Sequence, residues 1–293
     1  MKIGFIGLGN MGAPMARHLI AQGFDLSVFD TSAEAVAGFG AASASSLADV
    51  GRGRDIIITM LPNGDIVRQA LIGDGGALAD AGPGTIVVDT SSSDAGGTRR
   101  LGAELRERGI ALLDAPVSGG VALAGEGKLS IMVGTDDQLA FDRVRAVIET
   151  LGSRIIPVGG LGAGHAAKAI NNAIAAAIVG VTAEGLLLGQ RFGLDPQTLL
   201  DVINASTGKS QVSDTIFRSQ ILPRKFSLGF SIGLMAKDVG LAVSLVDQLG
   251  LDLPMLATAG STWAAARDDL SPQADFTAYL RHVENDNGGD PIS

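Results

Sequence analysis

Short runs of consecutive apolar residues alternate with stretches of helical periodicity through the first half of the chain. The runs are rich in Ile, Val, Leu and Phe and lie at residues 3–6, 26–29, 56–58, 86–88, 110–113, 131–133 and 155–158. Helix-like stretches fall between them, such as residues 11–21, 98–108 and 141–151. Because the runs are continuous rather than alternating, they predict strands buried on both faces, and hence parallel strands with helical crossovers. The pattern therefore favours a doubly wound α/β domain.

The pattern changes near residue 160, at a Gly-rich break (VGGLGAG, residues 158–164) after which no run favours a strand. Residues 166–191 are apolar nearly all round, which predicts one long, buried helix. Pro196 after Asp195 is typical of a helix start, with an N-cap and a proline at the first helical position. Further helices are predicted at residues 228–249, 254–267 and 276–283, and a frayed tail from Asn285 onward.

These patterns predict two domains, residues 1–161 and 162–293. The first is α/β and the second, which begins with the long joining helix, is all α-helical. A length of 293 residues agrees with two domains, and a hydrophobic content of 46% suffices for a large core.

Composition excludes several classes of function. A net charge of -9, from 31 acidic and 22 basic residues, disfavours nucleic-acid binding. The absence of Cys excludes disulfides and thiolate metal sites, and three scattered His give no metal-ligand spacing, so no metal is expected. The most apolar stretch, residues 173–181, is interrupted by Thr182 and Glu184 short of the ~18 residues that a membrane span needs. The start MKIGFIG lacks the features of a signal peptide. A cytoplasmic protein without membrane or nucleic-acid partners is expected.

A glycine motif follows the first predicted strand and opens a helix. Its residues are Gly7, Leu8, Gly9, Asn10, Met11 and Gly12. The first glycine permits a tight turn, the second lets a pyrophosphate approach the backbone, and the third lets helix and strand pack closely. The phosphates would lie at the positive end of the helix. G-x-G-x-x-G alone is weak, but here it is preceded by a strand and followed by a helix, which predicts a Rossmann-type dinucleotide-binding domain.

Asp30, at the end of the second predicted strand, bears on which dinucleotide binds. A carboxylate there accepts hydrogen bonds from both ribose hydroxyls and repels a 2′-phosphate. Thr31 and Ser32 follow, without Arg or Lys to neutralise such a phosphate, so NAD is preferred over NADP. The alternative is that Asp30 merely caps a solvated strand end.

Two segments could carry chemistry. Ser118, Gly119 and Gly120 end the sequence DAPVSGG, and their backbone N–H groups with the serine hydroxyl would suit a carboxylate, although S-G-G is also ordinary loop sequence. Lys168 and Asn172 are four residues apart on one face of the long predicted helix. From spacing alone, the lysine is more readily explained by snorkelling to water than by proton transfer.

Other polar residues are less informative. A single histidine near a helix start, such as His165, is more often structural than a general base. Lys237 and Asp238 are adjacent, so they do not share a helix face and an ion pair between them is not expected. Either Lys237 reaches toward the first domain or both side chains lie on solvated faces.

Five motifs together resemble those of the β-hydroxyacid dehydrogenases, which include 3-hydroxyisobutyrate dehydrogenase and tartronate semialdehyde reductase. They are GFIGLGNMGAPMA at the N-terminus, TMLP at 59–62, DAPVSGG at 114–120, GAGHAAKAINN at 162–172 and KD at 237–238. The resemblance extends from residue 1 to about 284, in the order and approximate spacing of the family.

The resemblance implies a role for each matching residue. Lys168 would be the catalytic acid/base, with Ser118, Gly119 and Gly120 holding the substrate carboxylate. Asn172 would orient the substrate, and Lys237 would reach the nicotinamide end of NAD with Asp238 as its neighbour. The remaining cofactor contacts would come from Leu61, Pro62 and Ser92. The implied reaction is hydride transfer between NAD and a small 3-hydroxy acid or its semialdehyde, in a homodimer or homotetramer.

Alternatives stay open at this point. Imine reductases and phosphogluconate dehydrogenases have a similar architecture, but Lys168 with Asp30 disfavours the first and the short C-terminal domain the second. A non-catalytic dinucleotide-binding protein is disfavoured by the presence of Lys168 and by the negative charge. The sequence does not choose among 3-hydroxy acids, and 4-hydroxybutyrate or a sulfonate analogue stays possible. The segment STGKS at 206–210 departs from the G-R-C-W form associated with 3-hydroxyisobutyrate enzymes.

Overall fold

A computed structural model describes residues 1–289 and 291–292 and divides into two compact units, Met1–Lys168 and the chain from Ala169 onward. The first unit is a sheet covered by helices. Its elements are β1 (Lys2–Ile6), α1 (Gly12–Ala21), β2 (Asp25–Phe29), α2 (Ala33–Ala37), α3 (Leu47–Gly51), β3 (Ile56–Thr59), α4 (Gly64–Ile72), β4 (Ile86–Asp89), α5 (Ala95–Glu107), β5 (Ala111–Asp114), β6 (Val117–Ser118), α6 (Gly120–Gly125), β7 (Leu129–Gly134), α7 (Gln138–Leu151) and β8 (Gly152–Gly159). A short 3-10 turn at Gly40–Ala42 lies between α2 and α3. All seven predicted strands are present.

The strand order is β2-β1-β3-β4-β5-β7-β6, and β8 pairs with β7. The first five strands are mutually parallel, as predicted. β2 lies on one side of β1, and β3, β4 and β5 follow on the other side, so the order in which strands are added changes direction at β1. Ile6 pairs with Thr59, Thr59 with Asp89, and Asp89 with Asp114. The carboxyl ends of these strands are thus aligned along one edge, where ligands bind in doubly wound sheets.

Alternate residues of the parallel strands enter two separate cores on opposite faces of the sheet. Ile3 and Phe5 pack in one core, and Ile6 and Ile57 in the other. Both faces are buried because helices cover them both, which is why the strands read as continuous apolar runs.

The prediction of parallel strands is wrong at β7, which runs antiparallel to β5 and β6. Here the short strand β6 follows β5 after only two residues, and its Val117 pairs antiparallel with Ile131, which fixes the direction of β7. A two-residue strand is too short to leave a hydrophobic pattern. The expected burial of both faces also fails at β8, where Ile156 is exposed.

The second unit is helical, as predicted. The helix α8 (Ala163–Phe192) begins in the first unit, and α9 (Pro196–Asn204), a π-helical segment (Val212–Ile221), α10 (Ile232–Gln248), α11 (Pro254–Leu270), a 3-10 turn (Phe276–Ala278) and α12 (Tyr279–Asp286) follow. Asp195 caps α9 through the Thr198 N–H at 2.7 Å, with Pro196 in the first turn. At the core, Trp263 stacks on Tyr279 with ring centroids 4.4 Å apart.

The prediction that α8 is wholly buried is wrong. One face of the helix is exposed along its length, with apolar side chains at Ile170, Ile174, Val181, Leu188 and Phe192. Over residues 1–289 and 291–292, α8 is the one helix long and apolar enough to cross a membrane, so Thr182 and Glu184 do not interrupt it as much as expected. Of its most apolar window, 56% is buried within the protein, and a core helix of a soluble protein meets the same criterion.

The prediction of a frayed tail is also wrong for the described residues. Ile292 is fully buried, and its N–H donates to Glu284 Oε1 at 2.7 Å. Glu284 is itself buried and accepts two hydrogen bonds from Arg224, at 2.7 and 2.9 Å. A single apolar residue close to the chain end, with a buried carboxylate to receive its backbone, is enough to hold the tail.

Candidate active site

The turn after β1 has the shape that a dinucleotide requires. Gly7 has φ +99°, and a Cβ there would overlap the Met60 carbonyl, while a Cβ at Gly12 would overlap the Gly7 carbonyl. Gly9 is different, because no described atom lies within 4 Å of a Cβ built on it. The first and third glycines therefore serve close packing, and the second leaves open space, as the predicted approach of a pyrophosphate requires.

The start of α1 also fits a bound phosphate. No side chain caps it, and its first turn holds no acidic residue. Its first N–H groups and the positive end of the helix dipole suit an anion. Within the motif, Leu8 is buried, Met11 is half-buried and Asn10 is exposed.

Asp30 follows β2 and turns its carboxylate back to the glycine turn. Its Oδ2 accepts the N–H of Leu8 at 2.6 Å, and its Oδ1 accepts the N–H of Ser32 at 2.8 Å. Each carboxylate oxygen keeps further acceptor capacity for a ribose hydroxyl. Asp30 is thus more than a solvated cap, since it joins the turn after β1 to the end of β2.

The remaining predicted cofactor residues lie at the same edge of the sheet. Leu61 and Pro62 follow β3, and Ser92 follows β4. The Leu61 N–H donates to Ser91 Oγ at 2.9 Å, which ties the two loops together. Asn63 then caps α4 through the Ile66 N–H.

The structure brings Lys168 to the S-G-G turn. Lys168 Nζ donates to Ser118 Oγ at 2.7 Å, and both side chains are half-buried. Gly119 and Gly120, which follow Ser118 directly, have φ of +138° and +76°, which favours glycine at both positions. Lys168 therefore does not simply snorkel to water, the explanation that spacing alone favoured, but contacts the S-G-G turn.

Sequence reasoning missed a buried polar network at the start of α8. Asp114 accepts backbone N–H groups from Gly162 at 2.7 Å and His165 at 2.8 Å. Burial raises the pKa of the Asp114 carboxyl, against the lowering effect of His165 and these N–H groups. The His165 ring is buried against Thr98 Oγ1, at 2.8 Å from Nδ1, in agreement with a structural role. Asp114 belongs to the motif DAPVSGG, but no spacing rule connects it to residues 162–165.

The second unit contains the other predicted polar residues. Asn172 Nδ2 donates to Asp238 Oδ2 at 2.7 Å, and Lys237 Nζ lies 3.2 Å from Asp238 Oδ1. The expectation of no ion pair between these neighbours is therefore wrong. Asp238 is buried, so it does not lie on a solvated face, and the long lysine side chain bends back to it. Among the described residues, no group of three or more His, Asp or Glu is arranged to hold a metal ion.

Comparisons with known proteins agree with this architecture. A family model described as the NAD binding domain of 6-phosphogluconate dehydrogenase matches residues 2–160. A second, described as NAD-binding of NADP-dependent 3-hydroxyisobutyrate dehydrogenase, matches residues 162–283.

Relatives match almost end to end. A 2-(hydroxymethyl)glutarate dehydrogenase of Eubacterium barkeri is 37% identical over 98% of this chain and 96% of its own. An NAD-dependent L-serine dehydrogenase of Pseudomonas aeruginosa is 38% identical over 98% and 99%. The solved structure of Mycobacterium tuberculosis 3-hydroxyisobutyrate dehydrogenase with L-serine superimposes with a TM-score of 0.88, at 34% identity, over 96% and 98%.

The fold, the glycine turn and these matches define an NAD-dependent oxidoreductase of hydroxy acids. Within that class, the chain belongs to the β-hydroxyacid dehydrogenase family.

Proposed function

We propose that the protein interconverts a small 3-hydroxy acid and its semialdehyde, with Lys168 as the general acid/base. The observation that carries this proposal is the 2.7 Å hydrogen bond from Lys168 Nζ to Ser118 Oγ. This bond supports the proposal because it brings an amine that could transfer a proton next to a turn whose backbone would suit a carboxylate.

Ser118, Gly119 and Gly120 would bind the carboxylate of the substrate. A bound carboxylate fixes the neighbouring carbons, so that the hydroxyl lies within reach of Lys168 and the encounter becomes a positioned one. Asn172 would orient the substrate, since its side chain is held by Asp238.

Lys168 would move the proton of the reaction. In oxidation, the neutral amine accepts the proton of the substrate hydroxyl. In reduction, the ammonium donates that proton and stabilises the negative charge that develops on the oxygen. When bound, NAD would supply the hydride acceptor for oxidation, and its reduced form would supply the hydride for reduction.

The cofactor would be held by the glycine turn, Asp30, Leu61, Pro62 and Ser92, with Lys237 at the nicotinamide end. The carboxylate of Asp30 supports a preference for NAD over NADP, because it would repel a 2′-phosphate. The Asp30 carboxylate accepts hydrogen bonds from the N–H groups of Leu8 and Ser32, which keep it beside the glycine turn.

The names of the relatives indicate the class of substrate. L-Serine, 3-hydroxyisobutyrate and 2-(hydroxymethyl)glutarate each carry a hydroxymethyl group on the carbon that bears a carboxylate. A 3-hydroxypropanoate with a variable substituent at C2 is therefore the proposed substrate of this chain. A homodimer or homotetramer in the cytoplasm, without nucleic-acid or membrane partners, is the proposed state. The exposed apolar face of α8 supports association of subunits.

The test is a panel of 3-hydroxy acids assayed with NAD and with NADP, using the wild type and two lysine variants. Lys168→Ala should lower kcat by ~10² to 10⁴-fold, the usual contribution of general acid/base catalysis, with little change in NAD affinity. Lys128→Ala is the matched control, because Lys128 is exposed in the same unit and pairs only with Glu126 among the contacts described. Normal turnover of Lys168→Ala would refute the proposed role.

A further inference from the structure

The helix that carries Lys168 begins after a glycine, which has no side chain to cap the helix. Gly162 precedes α8 and its carbonyl accepts the N–H of Ala166, as expected of an N-cap residue. Its φ is +88°, and a Cβ there would lie 2.8 Å from the Ala95 carbonyl oxygen. Glycine is therefore required, and no side chain is available at the position that normally supplies the cap.

Asp114, at the end of β5, supplies the missing cap from another part of the chain. Its Oδ2 accepts the N–H of His165, the third residue of α8, at 2.8 Å. This is one of the bonds that an N-cap side chain ordinarily makes. Its Oδ1 accepts the N–H of Gly162 at 2.7 Å. Because Asp114 is fully buried, water cannot replace these bonds.

Two more glycines let the helix start approach this carboxylate. A Cβ on Gly164 would lie 2.5 Å from the Met132 carbonyl oxygen and 2.8 Å from Asp114 Oδ2. A Cβ on Gly134 would lie 2.5 Å from Asp114 Oδ1. Both contacts are closer than real Cβ atoms make, so any side chain here would push α8 away from β5 or β7.

The side chain of His165 anchors the same turn to neighbouring elements. Its Nδ1 lies 2.8 Å from Thr98 Oγ1 on α5, and its Nε2 lies 3.6 Å from Asp89 Oδ2 at the end of β4. The first turn of α8 is thus held by buried hydrogen bonds to Thr98 on α5 and to Asp114 at the end of β5.

We propose that Asp114 is a positioning residue for proton transfer. Ser118 lies four residues after it along one segment, and Lys168 lies three residues after His165 along the other. One carboxylate therefore sets the places of both partners in the 2.7 Å bond between Lys168 and Ser118. This inference rests on the proposed function of Lys168.

The test compares Asp114→Asn and Asp114→Ala with Asp137→Ala. Asp137 caps α7 through the Ala140 N–H at 2.9 Å, in the same unit but without a contact to Lys168 among those described, so its variant loses a cap of the same kind. A misplacement of about 1 Å costs on the order of 10²-fold in rate. We expect kcat to fall at least ~10-fold in Asp114→Asn and further in Asp114→Ala, with unchanged NAD affinity and a displaced pH profile of kcat. Asp137→Ala should lower only the melting temperature.

A second pair of variants covers the case in which the Asp114 variants do not fold. Gly164→Ala should lower kcat in the same way by pushing α8 outward. Gly185→Ala lies on the same helix with no described atom within 4 Å of the added Cβ, and should keep wild-type kcat.

The outcomes separate this inference from the proposed function. If Lys168→Ala loses activity while Asp114→Asn or Gly164→Ala keeps wild-type kcat and pH profile, the positioning role is wrong and the proposed function stands. If Lys168→Ala keeps its activity, the proposed function itself fails.

Discussion

Truncation of Ile292 to alanine should destabilise the helical unit by about 2 kcal/mol. Ile292 is fully buried in the core that contains Trp263 and Tyr279. Its replacement removes three buried carbons, which at ~0.8 kcal/mol each amounts to about 2.4 kcal/mol. Buried Ile→Ala replacements cost about 2 to 5 kcal/mol, and this one belongs at the lower end because a chain terminus can move to fill the cavity. The backbone hydrogen bond to Glu284 would be retained.

The assay is urea unfolding followed by tryptophan fluorescence. Trp263 is the single tryptophan of the chain and is buried in the same core, so its emission reports on the unit that contains Ile292. A loss of 2 kcal/mol lowers the folding equilibrium constant about 30-fold and should lower the urea midpoint without changing the slope. Met255→Ala is the control, because Met255 lies in the same unit as Trp263, is 75% exposed and its truncation should cost less than about 0.5 kcal/mol. An Ile292→Ala midpoint equal to that of the wild type would show that the tail is not docked.

Two further predictions concern the pKa of Tyr279 and the glycine turn after β1. Burial, together with the charges of Glu184 and Asp286, raises the pKa of Tyr279 above its ordinary 10.0 against a lowering hydrogen bond with Thr262. The unfolded chain therefore loses this proton first, so stability should fall as the pH rises above about 10, and Tyr279→Phe should remove that loss. Because Tyr279 is the only tyrosine, its ultraviolet absorbance gives the pKa directly, and an ordinary value would contradict the burial argument. In the glycine turn, Gly9→Ala should keep the wild-type melting temperature but weaken NAD binding, whereas Gly12→Ala should lower the melting temperature. Calorimetric titration and thermal unfolding distinguish the two, and wild-type NAD affinity in Gly9→Ala would refute the proposed pyrophosphate position.

Much of the first unit follows from local sequence. Continuous apolar runs predict its parallel strands because both faces of the sheet are covered. The glycine motif and Asp30 are short-range features whose spacing is set by one strand, one turn and one helix. The cap of α9 by Asp195, in the second unit, could likewise be predicted, because the capping residue and the helix start are adjacent in the sequence.

The features that sequence reasoning missed depend on contacts between distant segments. The direction of β7 is set by two residues of β6, and the position of the tail is set by Glu284 and Arg224. Spacing alone explained Lys168 as a snorkelling residue, since nothing in α8 alone indicates Ser118, which lies 50 residues earlier. The family resemblance was the one feature of the sequence that implied a role for both residues. The ion pair of Lys237 with Asp238 was missed because helix-face rules treat side chains as short and radial, and the lysine side chain is neither.

The cap at the start of α8 also limits how this segment can change in evolution. An α-helix advances about 100° per residue, so one residue inserted or deleted between Gly162 and Lys168 would turn the lysine away from Ser118 by more than a quarter of a turn. The alanines between them, Ala163, Ala166 and Ala167, are half-buried rather than fully buried, so their identity is less restricted than their number. At these alanines the helical phase, rather than the residue identity, must be preserved, whereas Gly162 and Gly164 must also keep their identity. Changes in length are better tolerated in surface loops.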